Sequence, residues 1–154
     1  GIFVKLSATF GSLKLGSRDV EQIPWTREFG EPRDGHIETP HSAIHYSPEL
    51  QNVQIQQMVN MLKHRNPHTG KTYAEDTVVA FIEIINEQSI LFWTSMEPLK
   101  RSATLRRQVG QKFCDWLRIK YSNAAGLEAA WGKDALNSMA NEINVGGESL
   151  DKNN

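Results

Sequence analysis

The stretch TVVAFIEIINEQS, Thr77 to Ser89, is an almost unbroken apolar run dense in β-branched residues that breaks at Asn86-Glu87. So short and apolar a run predicts a strand covered on both faces, as in a parallel sheet or a barrel. Strands of that kind carry function at their carboxyl ends, where the chain leaves the core. Glu83, Ile85 and Glu87 share parity and face one side of the strand, with Glu87 at its mouth and Glu83 a layer deeper. A carboxylate at the depth of Glu83 needs a partner, because burying an unpaired charge is costly. From the residues alone, Glu87 is either a catalytic carboxylate or a turn-capping acid.

Working outward, Gly1–Phe10 (GIFVKLSATF) predicts an earlier strand ended by Gly11. No period holds over residues 11–46, which glycines and prolines punctuate, and a long loop is expected there. Loops of that length in compact domains usually serve function, and Trp25 and Phe29 predict that this one packs on something. Ser47-Pro48-Glu49 is a helix start, with a capping serine, proline at the first position and an acid in the first turn. The helix is expected over 47–65, stopped by Asn66-Pro67, with a turn at His68-Thr69-Gly70. After the central strand, placed at 77–87, Ile90–Pro98 leaves as an apolar loop. Ser102 then caps a second helix over 102–121, with Leu105, Val109, Phe113, Trp116 and Leu117 on one face. Gly126-Leu127 opens a short helical turn through Trp131, and 146–154 is a polar tail. Two successive β/α units in this order predict an α/β chain with a parallel sheet or a (β/α) barrel.

The 154 residues suffice for one domain with a real core, and the formal net charge of −1 gives no electrostatic case for nucleic acid or an anionic membrane as partner. No apolar run approaches the roughly 20 residues of a membrane span. The opening at Gly1, directly on a strand-like segment, reads as a start inside a larger protein. Cys114 stands alone, so no internal disulfide forms and the compartment is undecided.

The closing pattern Glu83-Ile84-Ile85-Asn86-Glu87 resembles the fourth strand of the clan A retaining glycoside hydrolases. The resemblance spreads through HRNPHTGKTYAEDTVVAFIEIINEQSI, Trp116-Leu117-Arg118-Ile119-Lys120-Tyr121 and Leu127-Glu128-Ala129-Ala130-Trp131, which together are similar to a cellulase-like subgroup. It covers about Ser47 to Gly132, with Gly1–Phe10 as the preceding strand. It implies a partial (β/α)8 TIM barrel: an internal fragment of one catalytic domain, about two β/α units with a long strand-to-helix loop around strands three and four. It also implies that Glu87 is the general acid/base and that Asn86 hydrogen-bonds the sugar 2-hydroxyl. The substrate would be a β-linked oligo- or polysaccharide, with no cofactor and no metal. The nucleophile of the family lies on the seventh strand, beyond what two β/α units carry. A whole barrel takes roughly 250 residues, so this chain alone is expected to be inactive and prone to self-association. Thr77, Gln88 and Thr9 depart from the pattern, standing where relatives often have proline, asparagine or proline, and histidine. The rival expectation is a non-catalytic carbohydrate-binding or interaction module built from barrel elements.

Trp93, just past the acid, offers an indole face for stacking on a sugar ring or, equally, an anchor on the rim. Trp25 is a weaker stacking candidate, and Trp116 and Trp131 are expected in the core. Gly70-Lys71-Thr72 imitates the end of a phosphate-binding loop but has Arg65 at the required first glycine and the wrong element order. His41 and His45 lack a third metal ligand. Lys100, Arg101, Arg106 and Arg107 read as a solvated helix start and face.

Overall fold

The computed structural model describes residues 1–7, 12–86, 89–91 and 93–132. The chain divides into two compact units, Gly1–Glu97 and a second that begins at Pro98.

The first unit contains the strand β1 (Val4–Ser7), the short strand β2 (Lys14–Leu15) and the helix α1 (Ser17–Gln22). A 3₁₀ turn over Pro24–Phe29, the strand β3 (Ile37–Glu38) and a second 3₁₀ turn over Ala43–His45 follow. The helix α2 (Pro48–Lys63) and the strand β4 (Val79–Glu83) complete the regular elements. β1 and β4 pair in parallel, with Leu6 opposite Ile82 and Ser7 opposite Glu83, and a register shift between Val4 and Lys5. Parallel neighbours require a long crossover, which here carries α2. The chain is therefore mixed α/β with a two-stranded parallel sheet, and β2 and β3 form a separate antiparallel pair.

α2 begins as its sequence dictates: Ser47 Oγ accepts from the Leu50 amide at 3.2 Å, and Pro48 fills the first turn. It ends before Asn66-Pro67, and Gly70 supplies the positive φ of +68° that the following turn needs.

Residues 11–46 depart from the expected loop. β2 pairs with β3, α1 stands between them, and Leu13, Leu15, Val20, Ile23, Phe29, Ile37, Ala43, Ile44 and Tyr46 are buried, as is Leu50 of α2. Elements of two to six residues are too short to impress a period on the sequence, which is why the segment reads as irregular.

The central strand departs in two ways. It is shorter than 77–87, because Asp76 takes up both incoming amides: its Oδ1 accepts from Val78 at 3.1 Å and its carbonyl accepts from Val79 at 3.0 Å. Past Glu83, the Ile84 carbonyl accepts from Gln54 Nε2 of α2 at 3.0 Å. Nor is the strand covered on both faces. Phe81 is 70% exposed and Ile84 64%, and Ile2, Phe3, Ile82 and Ile85 are exposed as well.

The second unit holds the helices α3 (Glu97–Arg101), which starts at the junction, α4 (Ala103–Tyr121) and α5 (Ala124–Trp131). Ser102 Oγ caps α4 by accepting from Leu105 at 3.0 Å, and Asn123 Oδ1 caps α5 by accepting from Gly126 at 2.9 Å. A Cβ at Gly126 would lie 2.3 Å from the Tyr121 carbonyl oxygen, so only glycine allows the tight α4–α5 corner. The buried face of α4 is Leu105, Gly110, Cys114 and Leu117. Trp116 and Trp131, expected in the core, are each 45% exposed and instead form an outer cluster. Phe113 stacks on Trp116, and Lys120 Nζ lies 4.6 Å from the Trp116 ring. Trp131 Nε1 donates to the Tyr121 hydroxyl at 3.0 Å. No described helix is long and apolar enough to cross a membrane.

Candidate functional site at the carboxyl ends of the parallel strands

β1 and β4 run in the same direction, so their carboxyl ends emerge together. Lys5 Nζ reaches across to Glu83 Oε1 at 3.1 Å, and Ser7 lies directly opposite Glu83 in the ladder. The carboxylate has a partner, but not the burial expected of it: its side chain is 24% exposed. The Lys5 ammonium, and after it the Ser7 hydroxyl, hold Glu83 below the usual carboxylate range. Glu83 is therefore an ionised, paired group and not a proton donor at neutral pH.

Asn86 lies three residues beyond Glu83 and is half-buried. Glu87, the proposed acid/base, lies outside the described residues, as do Thr9, Gln88 and the tail 146–154. The structure thus brings together Lys5, Ser7 and Glu83, with Asn86 following on the same chain segment. Lys5 and Ser7 were not singled out from sequence. The available signal was a lysine and a serine of equal parity at the end of an otherwise apolar strand.

Trp93 is 84% exposed. The residues after it are held by the turn at 41–46: Thr94 Oγ1 lies 3.2 Å from His41 Nδ1, and the Tyr46 hydroxyl lies 3.9 Å from Met96 Sδ. Trp25, by contrast, packs edge-on against Phe29 with 5.5 Å between ring centroids, which makes it part of the core wall.

His45 Nε2 is buried without a hydrogen-bond partner, and burial, then the nearby His41, push the His45 pKa down. Both effects disfavour the imidazolium form. Among the described residues no three His, Cys, Asp or Glu side chains stand close enough to hold a metal ion.

The phosphate-loop imitation is consumed by its own turn. The Gly70 amide donates to the Asn66 carbonyl, Lys71 to Thr69 Oγ1 and Thr72 to Glu75 Oε2. The Arg65 guanidinium also donates to the Gly70 carbonyl. No amide of the three is left to cradle a phosphate.

No family model, no curated protein and no solved structure matches the chain.

Proposed function

We propose that this chain is the acid/base half of a retaining β-glycoside hydrolase barrel, spanning its third and fourth strands. The observation that carries the reading is the parallel β1–β4 pair, apolar and exposed, with Glu83-x-x-Asn86-Glu87 where β4 ends. Parallel sheets occur almost only where both faces are covered. A two-stranded parallel pair with Phe81 and Ile84 in solvent has the surface of a sheet made for further strands and helices.

In this reading Glu87 protonates the glycosidic oxygen as the bond breaks, then removes a proton from the water that releases the sugar. Asn86 donates to the 2-hydroxyl, an interaction that strengthens as the ring approaches the oxocarbenium ion. Such chemistry requires a second carboxylate about 5–5.5 Å from the first as nucleophile. Glu83 is not given that role, because it is already tied to Lys5. The nucleophile is assigned to another strand of the barrel.

The exposed indole of Trp93 also favours a second reading, a non-catalytic carbohydrate-binding module. The two separate on activity and on sequence context. The chain by itself should release no phenol from aryl β-glycosides. A longer protein containing it, with a downstream strand ending in an exposed glutamate, should release it. Turnover by the isolated chain would contradict the assignment of the nucleophile elsewhere, and an inactive longer protein would favour the binding module.

A further inference from the structure

Gln51, Gln54 and Gln57 recur at every third position of α2, and each donates to a backbone carbonyl of another segment. Gln51 Nε2 reaches the Ile44 carbonyl at 2.9 Å, Gln57 Nε2 the Lys14 carbonyl at 3.1 Å and Gln54 Nε2 the Ile84 carbonyl at 3.0 Å. Gln51 is exposed and Gln57 half-buried, whereas Gln54 is buried, at 6% exposure. Burying an amide costs free energy unless it is hydrogen-bonded, so an apolar side chain would suit that position better on burial alone. What the amide adds, and an apolar side chain would not, is the hold on Ile84.

That hold falls at the exit of β4. The ladder with β1 ends at Ser7 opposite Glu83, so Ile84 is the first residue past the paired strand. Neither Ile84 nor Ile85 is fixed by burial, since both side chains are exposed. A peptide unit is planar, so a hydrogen bond on the Ile84 carbonyl also orients the Ile85 amide. One residue, Ile85, then separates the oriented plane from the half-buried Asn86.

We propose that Gln54 is a positioning residue for Asn86: it fixes the peptide plane from which Asn86 is presented, and with it the approach of the Asn86 amide to the sugar 2-hydroxyl. The inference rests on the glycoside hydrolase reading for the role of Asn86. It rests on the Gln54–Ile84 hydrogen bond for the positioning. Alignment matters steeply, because a misplacement of about 1 Å can lower a rate on the order of 10²-fold. An interaction that strengthens in the transition state is felt in kcat more than in KM.

The test has two arms. On the full chain, amide relaxation by NMR compares the wild type with Gln54→Met, which keeps the length of the side chain and removes the donor, and with Gln54→Glu. The Ile85 and Asn86 amides should show order parameters near about 0.85 in the wild type and below about 0.6 in Gln54→Met. In Gln54→Glu, burial keeps the new carboxyl protonated at a pH where Glu83, held below the usual range, is ionised. In that form its hydroxyl donates to the Ile84 carbonyl, so the order should be present on the acid side of its titration and lost on the alkaline side. Unchanged order in Gln54→Met, or order in Gln54→Glu that ignores pH, overturns the positioning role.

In a longer protein that contains this chain, kcat is compared on an aryl β-glycoside and its 2-deoxy analogue. Asn86→Ala should lower kcat about 10²-fold on the first and much less on the second. Gln54→Met should repeat that pattern at about tenfold, with KM little changed. Equal losses from Asn86→Ala on the two substrates overturn the 2-hydroxyl role of Asn86, and the inference with it. The expected pattern from Asn86→Ala without its counterpart in Gln54→Met overturns only the positioning role of Gln54.

Discussion

Glu83 is the residue on which sequence and geometry meet most closely. Its place in an apolar run demanded a counter-charge, and Lys5 supplies one across the parallel ladder at 3.1 Å. The partner is present although the expected burial is not, since the Glu83 side chain is 24% exposed and the pair is held by charge attraction at the surface. The identity of the partner was not legible, because strand register is a tertiary property that no local pattern carries. The pair makes a pH prediction whose sign is fixed. The folded pKa of Glu83 lies below the unfolded value near 4.5. The stability it contributes is therefore complete above that pH and is lost as pH falls through the lower folded value. Lys5→Met should make the fall of melting temperature with acidification below about pH 4.5 shallower, with the effect shrinking in high salt because the pair is partly solvated. A melting curve that responds to acid identically with and without Lys5 would remove the pair from the account.

Among the elements, the two long helices were legible because each announces its start chemically. Ser47 and Ser102 are fully buried, and each accepts the amide three residues on. Ser47→Ala and Ser102→Ala should each cost about 1 kcal/mol of unfolding free energy in urea titrations. A loss near zero at either would mean that neighbouring packing, and not the cap, fixes that helix start. Residues 11–46 resisted the same reading for a physical reason. β2 and β3 have two residues each and α1 has six, so neither a period of 2 nor one of 3.6 completes a cycle. Their stability comes from the burial of Leu13, Leu15, Ile37 and Phe29 and from the pairing of β2 with β3. Phe29 is buried and meets the Trp25 ring edge-on. The outward position of Trp116 was missed because α4 buries small Gly110 and Cys114 where a bulky face was expected.

At the scale of the molecule, the β1–β4 pair is the feature that a single folded unit does not explain. It carries Phe81 and Ile82 in solvent, with Ile2, Phe3, Ile84 and Ile85 exposed on the flanking segments, and its outer strand edges are templates for another strand. The isolated chain should therefore associate with rising concentration in sedimentation velocity. Phe81→Lys with Ile82→Lys, which places a charge on each face of β4, should shift it towards monomer without loss of helical signal. A wild-type chain that stays monomeric across the accessible range would mean that this surface is tolerated as it stands. The parallel pairing was legible from the order strand, helix, strand. The exposure was not, because an apolar run shows that a strand seeks cover and not whether the cover is present.

The central proposal concerns Glu87, and its most direct test is leaving-group dependence in a longer protein that contains this chain. A general acid matters most when the departing oxygen needs a proton. Glu87→Gln should lower kcat/KM about 10²–10⁴-fold for an unactivated β-linked disaccharide and far less for a dinitrophenyl β-glycoside, whose phenolate leaves unaided. Equal losses on the two substrates, or near-normal turnover of the disaccharide, would contradict the assignment of Glu87 as the acid/base.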